Sequence, residues 1–288
     1  MENQRNIEVE IVADSINPAG KRIVSALWTY PRFIHSEIMT HRALSKNAAS
    51  SRAIPSKKML QAVDSDPAMP EFWGSNQSGM QAGAELTGDS LTAAKHEWRH
   101  ARLEAMQTAT ILNGMGLHKQ IANRVLEPWF RITVLVTATD WDNFFALRAH
   151  PAAQPEFQVL AYRHLDKMLT CKPKEIDWGD WHIPFDLGAD RLPVETRLKA
   201  SVASAARTSY VAYDSDKSLE EQIALHDRMW ESSHWSPFEH QAMAARVCDR
   251  SGNFSGGWLQ YRQTLKRNVH TNVDFNQLMA DKPAWITL

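Results

Sequence analysis

Cysteine is scarce in this chain of 288 residues. Cys171 and Cys248 are the only two, and neither stands in a CxxC or other metal-binding spacing. Two isolated cysteines exclude a disulfide framework and fit a reducing compartment. An excess of one charge is missing as well. Lys and Arg number 32, Asp and Glu 33, and the net charge is −1, so no overall field favours nucleic acid or a membrane surface. A local cluster of arginines can still bind an anion. No apolar run approaches the roughly 20 residues that a membrane-spanning helix needs. The opening MENQRNIEVE has no apolar core of a signal peptide, and the expected location is cytoplasmic. Low-complexity tracts are also absent.

What remains is ordinary globular material. Hydrophobic residues make up 43% and charged residues 23%, which suits a soluble protein with a sizeable core. The length fits one large domain or two small ones. Tryptophan, at 11 residues, is the one high count. It points to core and interface packing, with stacking on a planar ligand as the alternative.

Hydrophobic periodicity divides the chain into elements. Residues 7–13 alternate apolar and polar and read as a strand, and 23–29 as a second. Residues 33–42 fit a helical face, and 45–56 are small, polar and loop-like. Residues 65–89 hold Pro67, Pro70 and four glycines and read as a long irregular loop. A helix is expected over 91–114 and a short one over 118–126. Residues 132–137 are rich in β-branched side chains and suit a strand or the lead into a helix. Helices follow over 142–150 and 154–169. The proline- and tryptophan-bearing stretch 171–192 is a candidate linker. Beyond it, 193–208, 219–232 and 258–265 read as helices and 241–248 as a strand. The expected organisation is an N-terminal part, 1–170, the linker 171–192, and a C-terminal part, 193–288, packed with the first as one unit.

Four segments carry candidate chemistry. Thr40-His41-Arg42-Ala43-Leu44-Ser45-Lys46-Asn47-Ala48-Ala49-Ser50-Ser51-Arg52 offers two arginines, a histidine, serines and an asparagine within a short stretch. Arginine forks match phosphate geometry, and the backbone of small residues can approach a phosphate closely. The same composition also suits a solvated loop with capping serines. The second segment is Leu147-Arg148-Ala149-His150-Pro151-Ala152-Ala153-Gln154-Pro155-Glu156. The third is Ala122-Asn123-Arg124-Val125-Leu126-Glu127-Pro128. The fourth pairs Ala205-Ala206-Arg207-Thr208-Ser209-Tyr210 with His234-Trp235-Ser236-Pro237-Phe238-Glu239-His240. For Arg148 the alternative reading is a surface ion pair, and for Arg124 a helix C-terminal cation.

Together these segments resemble the flavin-dependent thymidylate synthases. The first resembles that family's Arg-His-Arg signature, matched by His41, Arg42, Ser45, Asn47, Ser50 and Arg52. Thr40, Ala48 and Ser51 stand where the family has arginine, glutamate and glycine. The second resembles its Arg-x5-Gln-x-Glu pattern, and the third its Ala-Arg-x-x-Leu-Pro stretch. The fourth resembles two segments that normally precede the Arg-His-Arg signature, so the order here reads as permuted or rearranged. Permutation is tolerated when chain ends lie close together at the surface.

The resemblance implies an α+β fold with a mixed or antiparallel sheet flanked by helices, and a homotetramer. It implies reductive methylation of dUMP to dTMP with FAD, NADPH and 5,10-methylenetetrahydrofolate, without a protein nucleophile. Cys171, in Thr-Cys-Lys-Pro, and Cys248, in Val-Cys-Asp-Arg, lack the neighbours of a thymidylate synthase nucleophile. By the same resemblance, Arg148 would activate the pyrimidine. Glu37, Ser50, Ser51, Arg52 and Arg124 would hold the nucleotide, and Thr40, His41, Arg42, Asn143, His234 and Ser236 the flavin. Thr137 and Thr139 replace an asparagine and an arginine that often touch flavin. The substitutions at Thr40, Ala48, Glu37, Thr137 and Thr139 keep open a related methylase or hydroxymethylase acting on another pyrimidine such as dCMP; a third reading is a flavin- or nucleotide-binding protein without catalysis.

Overall fold

The computed structural model describes residues 6–188, 191–208, 217–265, 274–283 and 286. Its main sheet is built on a hairpin. Strand β1, Glu8–Ile16, runs antiparallel to β2, Arg22–Pro31, with a register shift between Ile11 and Ala13. Alternate residues of a strand point to opposite faces, and in β2 both faces are apolar. Val24, Ala26, Trp28 and Tyr30 enter one core, while Leu27 enters a second with Leu135 and Ala205. A strand covered on both sides reads as a continuous apolar run, which is why β2 is buried along nearly its whole length.

The chain then turns through a 3-10 segment, Arg32–Ile34, into the four-residue helix α1, His35–Ile38. A longer helix was expected over 33–42. It stops early because the Thr40 hydroxyl caps the Glu37 carbonyl at 2.6 Å, a local bond that competes with helix continuation. The expected loop at 45–56 opens instead with strand β3, Ser45–Ala48. Its buried face is polar, carrying Ser45 and Asn47, so no apolar alternation marks it in the sequence.

Helices α2, Ser56–Ser65, and α3, Gly88–Gly114, follow, joined by irregular chain. Helix α4, Lys119–Ala122, continues into a 3-10 turn, Asn123–Trp129, and then β4, Arg131–Ala138. Helices α5, Asp142–Arg148, and α6, Pro155–Thr170, pack against the first core. Strand β5, Lys174–Glu175, pairs parallel with β1 and completes the order β3-β4-β2-β1-β5. The sheet is mixed, since its other pairings are antiparallel. Around it the helices make an α+β architecture.

The other face of the sheet is covered by later chain. Strand β6, Trp181–His182, lies in the stretch read as a linker. Helix α7, Val194–Arg207, places Ala205 against Leu27 and Leu135. Helix α8, Leu219–Glu231, starts at Ser218 with a reciprocal capping box to Glu221. Strand β7, Ala242–Ala244, pairs with β6 and with β10, Trp258–Gln260, after the small hairpin of β8, Arg250–Ser251, and β9, Phe254–Ser255. The expected helix over 258–265 is thus half strand. Gln260 leaves the helical periodicity because its buried amide donates to Ser45 and to the Glu239 carbonyl. Only Tyr261–Thr264, α9, is helical there, and Phe275–Ala280 forms α10.

A buried polar chain joins the two layers. His182 contacts the hydroxyls of Ser15 at 2.9 Å and Ser25 at 2.8 Å. Ser25 meets Thr137 at 2.6 Å, and Thr137 meets His240 Nδ1 at 2.9 Å. Among the described residues no helix is long and apolar enough to cross a membrane.

Candidate active site

The segment after β2 is anchored from below and open above. Ile34, Ile38 and Leu44 are buried in the first core, while Thr40 and Arg42 are exposed between them. His41 points inward and is 7% exposed. Its Nε2 accepts a hydrogen bond from Arg148 Nε at 2.9 Å. Arginine stays protonated, so Nε2 carries no proton and the imidazole is the Nδ1–H tautomer. Burial, with Arg148 and Lys46 nearby, pushes the His41 pKa down to about 4. The ring is neutral at physiological pH. Edge contact with Phe144 fixes its plane, at 5.2 Å between centroids.

Arg148 ends α5 and is held twice. Besides His41, its guanidinium carbon lies 4.4 Å over the Phe157 ring. Its Nη groups have no partner among the described residues. Thr40, His41, Arg42, Asp140, Asn143 and Arg148 line one cleft of about 160 Å³. Arg42 and Asn143 are exposed and make no side-chain hydrogen bond among the described residues. Asp140 was not singled out in the sequence. Burial raises its pKa, but Lys21 at 2.6 Å and the Ser255 hydroxyl outweigh this and keep it ionised.

A second cluster gathers around Glu127. Its Oε1 accepts from Ser51 Oγ at 2.6 Å and Arg124 Nη1 at 2.8 Å, and Arg32 Nη2 lies 3.1 Å away. Burial works against ionisation, but Ser51, Arg32 and Arg124 together hold the carboxyl below its usual range. The turn that carries Ser51 is pinned from beneath. The buried Asn123 amide donates to the carbonyls of Ser51 at 2.7 Å and Ile54 at 3.0 Å, and Lys119 donates to Ala53. Arg52 is exposed at its tip. No local spacing couples Arg32 to Glu127, so their pairing is not legible in the sequence.

The C-terminal motif meets β3 rather than the cleft. Asn47 donates to the Ala205 carbonyl and, at 2.9 Å, to Thr208 Oγ1, and it accepts from Ser236 Oγ at 2.9 Å. His234 is exposed, with Nδ1 3.0 Å from Ser232 Oγ. Glu37 is exposed and takes the Ser36 hydroxyl at 2.8 Å. Ser209 and Tyr210 lie outside the described residues. Thr137 is committed to Ser25 and His240, and Thr139 hydrogen-bonds with Ser255.

The structure therefore joins Thr40, His41, Arg42, Asn143 and Arg148 in one place, Ser51 and Arg124 in a second, and Ser236 with Asn47 in a third. No hydrogen bond or ion pair among the described residues links Arg148 to Ser51, Arg52 or Arg124. Nor is any group of three His, Cys, Asp or Glu placed to hold a metal ion among them.

The α+β core thus carries a neutral histidine, clustered arginines and a serine-bearing turn. The family profile described as thymidylate synthase complementing protein matches residues 24–174, more than half of the chain. This chain belongs to that family. The segments at Ala205–Tyr210 and His234–His240 lie beyond the matched region. No curated protein matches the chain. Among solved structures it is similar to the UMP/dUMP methylase PolB from Streptomyces cacaoi. With 5-Br dUMP bound, identity is 17%, coverage 56% of this chain and 89% of that chain, and the TM-score 0.46. With 5-Br UMP bound, the values are 16%, 57%, 88% and 0.45.

Proposed function

We propose that this protein is a flavin-dependent thymidylate synthase, converting dUMP to dTMP with 5,10-methylenetetrahydrofolate as carbon donor and NADPH as reductant. Family membership supports the methylation of a pyrimidine nucleotide by a flavin-dependent enzyme. The observation that carries the reading is Arg148, fixed by the neutral His41 and by Phe157 at the wall of a cleft.

The residues do distinct work. Arg148 offers its Nη donors to a pyrimidine carbonyl and stabilises negative charge developing there. His41 holds the guanidinium edge without adding a second positive charge. Ser50, Ser51, Arg52 and Arg124 bind the nucleotide, with Glu37 at its margin. Flavin, when bound, supplies the redox chemistry. The donor set fits it: Arg42 and Asn143 are free to meet the acceptors and negative charge of FAD, with Thr40 and His41 beside them, while His234 and Ser236, which lie apart from this cleft in one protomer, would reach the flavin from another.

A cleft of about 160 Å³ lies below the roughly 300–1,000 Å³ typical of ligand sites. We propose that other protomers of a homotetramer complete it, bringing Arg148 of one subunit to the Ser51 turn of another. Residues 1–170 and 193–288 would act as one unit, joined through 171–192.

The test is tritium release from dUMP labelled at ring carbon 5, with FAD, NADPH and methylenetetrahydrofolate. Release together with dTMP is expected. The replaced family positions at Thr40 and Ala48 favour a parallel assay on dCMP. Release from dCMP alone would move the assignment to a different pyrimidine, and bound flavin with no release from either would favour a binding protein.

A further inference from the structure

Three donors converge on a single oxygen of Glu127: the Ser51 hydroxyl at 2.6 Å, Arg124 Nη1 at 2.8 Å and Arg32 Nη2 at 3.1 Å. Hydroxyl and guanidinium donors meeting on one anionic oxygen are how proteins hold a phosphate. Here the anion belongs to the protein. Two of the three donors, Ser51 and Arg124, are among the residues proposed above to bind the nucleotide, so the inference rests on that reading.

The arrangement is built rather than incidental. Glu127 and Arg32 are largely covered, their side chains 23% and 14% exposed. The Ser51 turn cannot easily swing away, because Asn123 and Lys119 hold its carbonyls. Ser51 itself is 1% exposed. The carboxylate is kept ionised by the donors it receives. Arg124 is the more exposed partner, its side chain 49% exposed.

We infer that Glu127 is a specificity-determining residue. Its carboxylate competes with the 5′-phosphate of the substrate for Ser51 and Arg124, and so narrows the preference for a nucleotide over the corresponding nucleoside. A phosphate dianion entering the cradle must displace the carboxylate or lie against it. An uncharged 5′-hydroxyl faces no such conflict. The class of ligand favoured by this carboxylate is a pyrimidine nucleoside, admitted beside the monophosphate.

The experiment is equilibrium titration of the full chain with dUMP, deoxyuridine and inorganic phosphate, comparing the unsubstituted protein with Glu127→Gln and Glu127→Asp. Glutamine keeps the size and removes the charge. Aspartate keeps the charge and withdraws it by one methylene, which retains a test should glutamine unsettle Arg32. In Glu127→Gln, dUMP and inorganic phosphate are expected to bind at least tenfold more tightly, and deoxyuridine to change less than threefold. Glu127→Asp should move dUMP in the same direction by a smaller factor. Unchanged or weaker dUMP and phosphate binding, in variants whose melting temperature is retained, would overturn the inference. The two readings separate cleanly. Turnover of dUMP by the unsubstituted protein, with no tightening in either variant, leaves the proposed function standing and removes Glu127. Tightened phosphate in a protein that binds neither dUMP nor deoxyuridine keeps Glu127 as the guardian of the anion cradle and removes the assigned substrate.

Discussion

Arg148 Nε donates to His41 Nε2 across 2.9 Å, joining two sequence segments that lie far apart and fixing the tautomer of the histidine. The bond requires a neutral ring, and burial together with the charge of Arg148 provides one. If this pair activates the pyrimidine, Arg148→Lys loses the planar fork and its stacking on Phe157. Its tritium-release kcat should fall about 10²–10³-fold, with a much smaller change in dUMP affinity. A loss confined to KM would mean that Arg148 only binds.

The buried histidines predict an acid-sensitive fold. Burial pushes His35 and His41 down to about 4, and His164, His182 and His240 to about 3. Each folded value lies below the ordinary 6.5, so the unfolded chain binds more protons in the window between. Stability then rises with pH across that window. It is fully present above pH 6.5 and is lost as pH falls toward 4 and then 3. The urea midpoint should drop between pH 7 and pH 5. A midpoint that is flat or rises toward pH 5 would contradict the neutral assignment.

Much of this site is legible in the sequence, and its losses have physical causes. The arginine- and serine-bearing segment from Thr40 to Arg52 stands out because donor-rich residues are adjacent in the chain. Strands β1 and β2 are legible by alternation and apolar continuity. Strand β3 is not, because its buried residues Ser45 and Asn47 are polar and are satisfied by distant partners, among them Gln260 and Ser236. The Glu127 cluster is hidden for the same reason: Arg32, Ser51 and Glu127 come from three separate elements, and only the packing of the 3-10 turns brings them together. The His182–Ser25–Thr137–His240 chain crosses between layers that no sequence spacing couples.

Asn47 should behave as a structural clasp between the two layers. Its amide serves the Ala205 carbonyl, Thr208 and Ser236 at once, and it is 5% exposed. Asn47→Ala removes three side-chain hydrogen bonds between the layers, at roughly 1 kcal/mol for each. Urea unfolding should show a loss of about 2–4 kcal/mol. A loss under about 0.5 kcal/mol would mean that water replaces the amide without cost.

Arg52 offers the complementary test on the nucleotide side. It is exposed at the tip of a pinned turn and makes no ion pair among the described residues, so its removal should leave the fold alone. The melting temperature of Arg52→Ala is expected to match that of the unsubstituted protein. If Arg52 grips the phosphate, the KM for dUMP should rise at least tenfold, in line with the roughly 2–5 kcal/mol lost when a desolvated charge pair is truncated. Affinity for deoxyuridine should move little, since it carries no phosphate to grip. An equal loss for both ligands would place Arg52 at the sugar or base, and unchanged kinetics for both would take it out of the site.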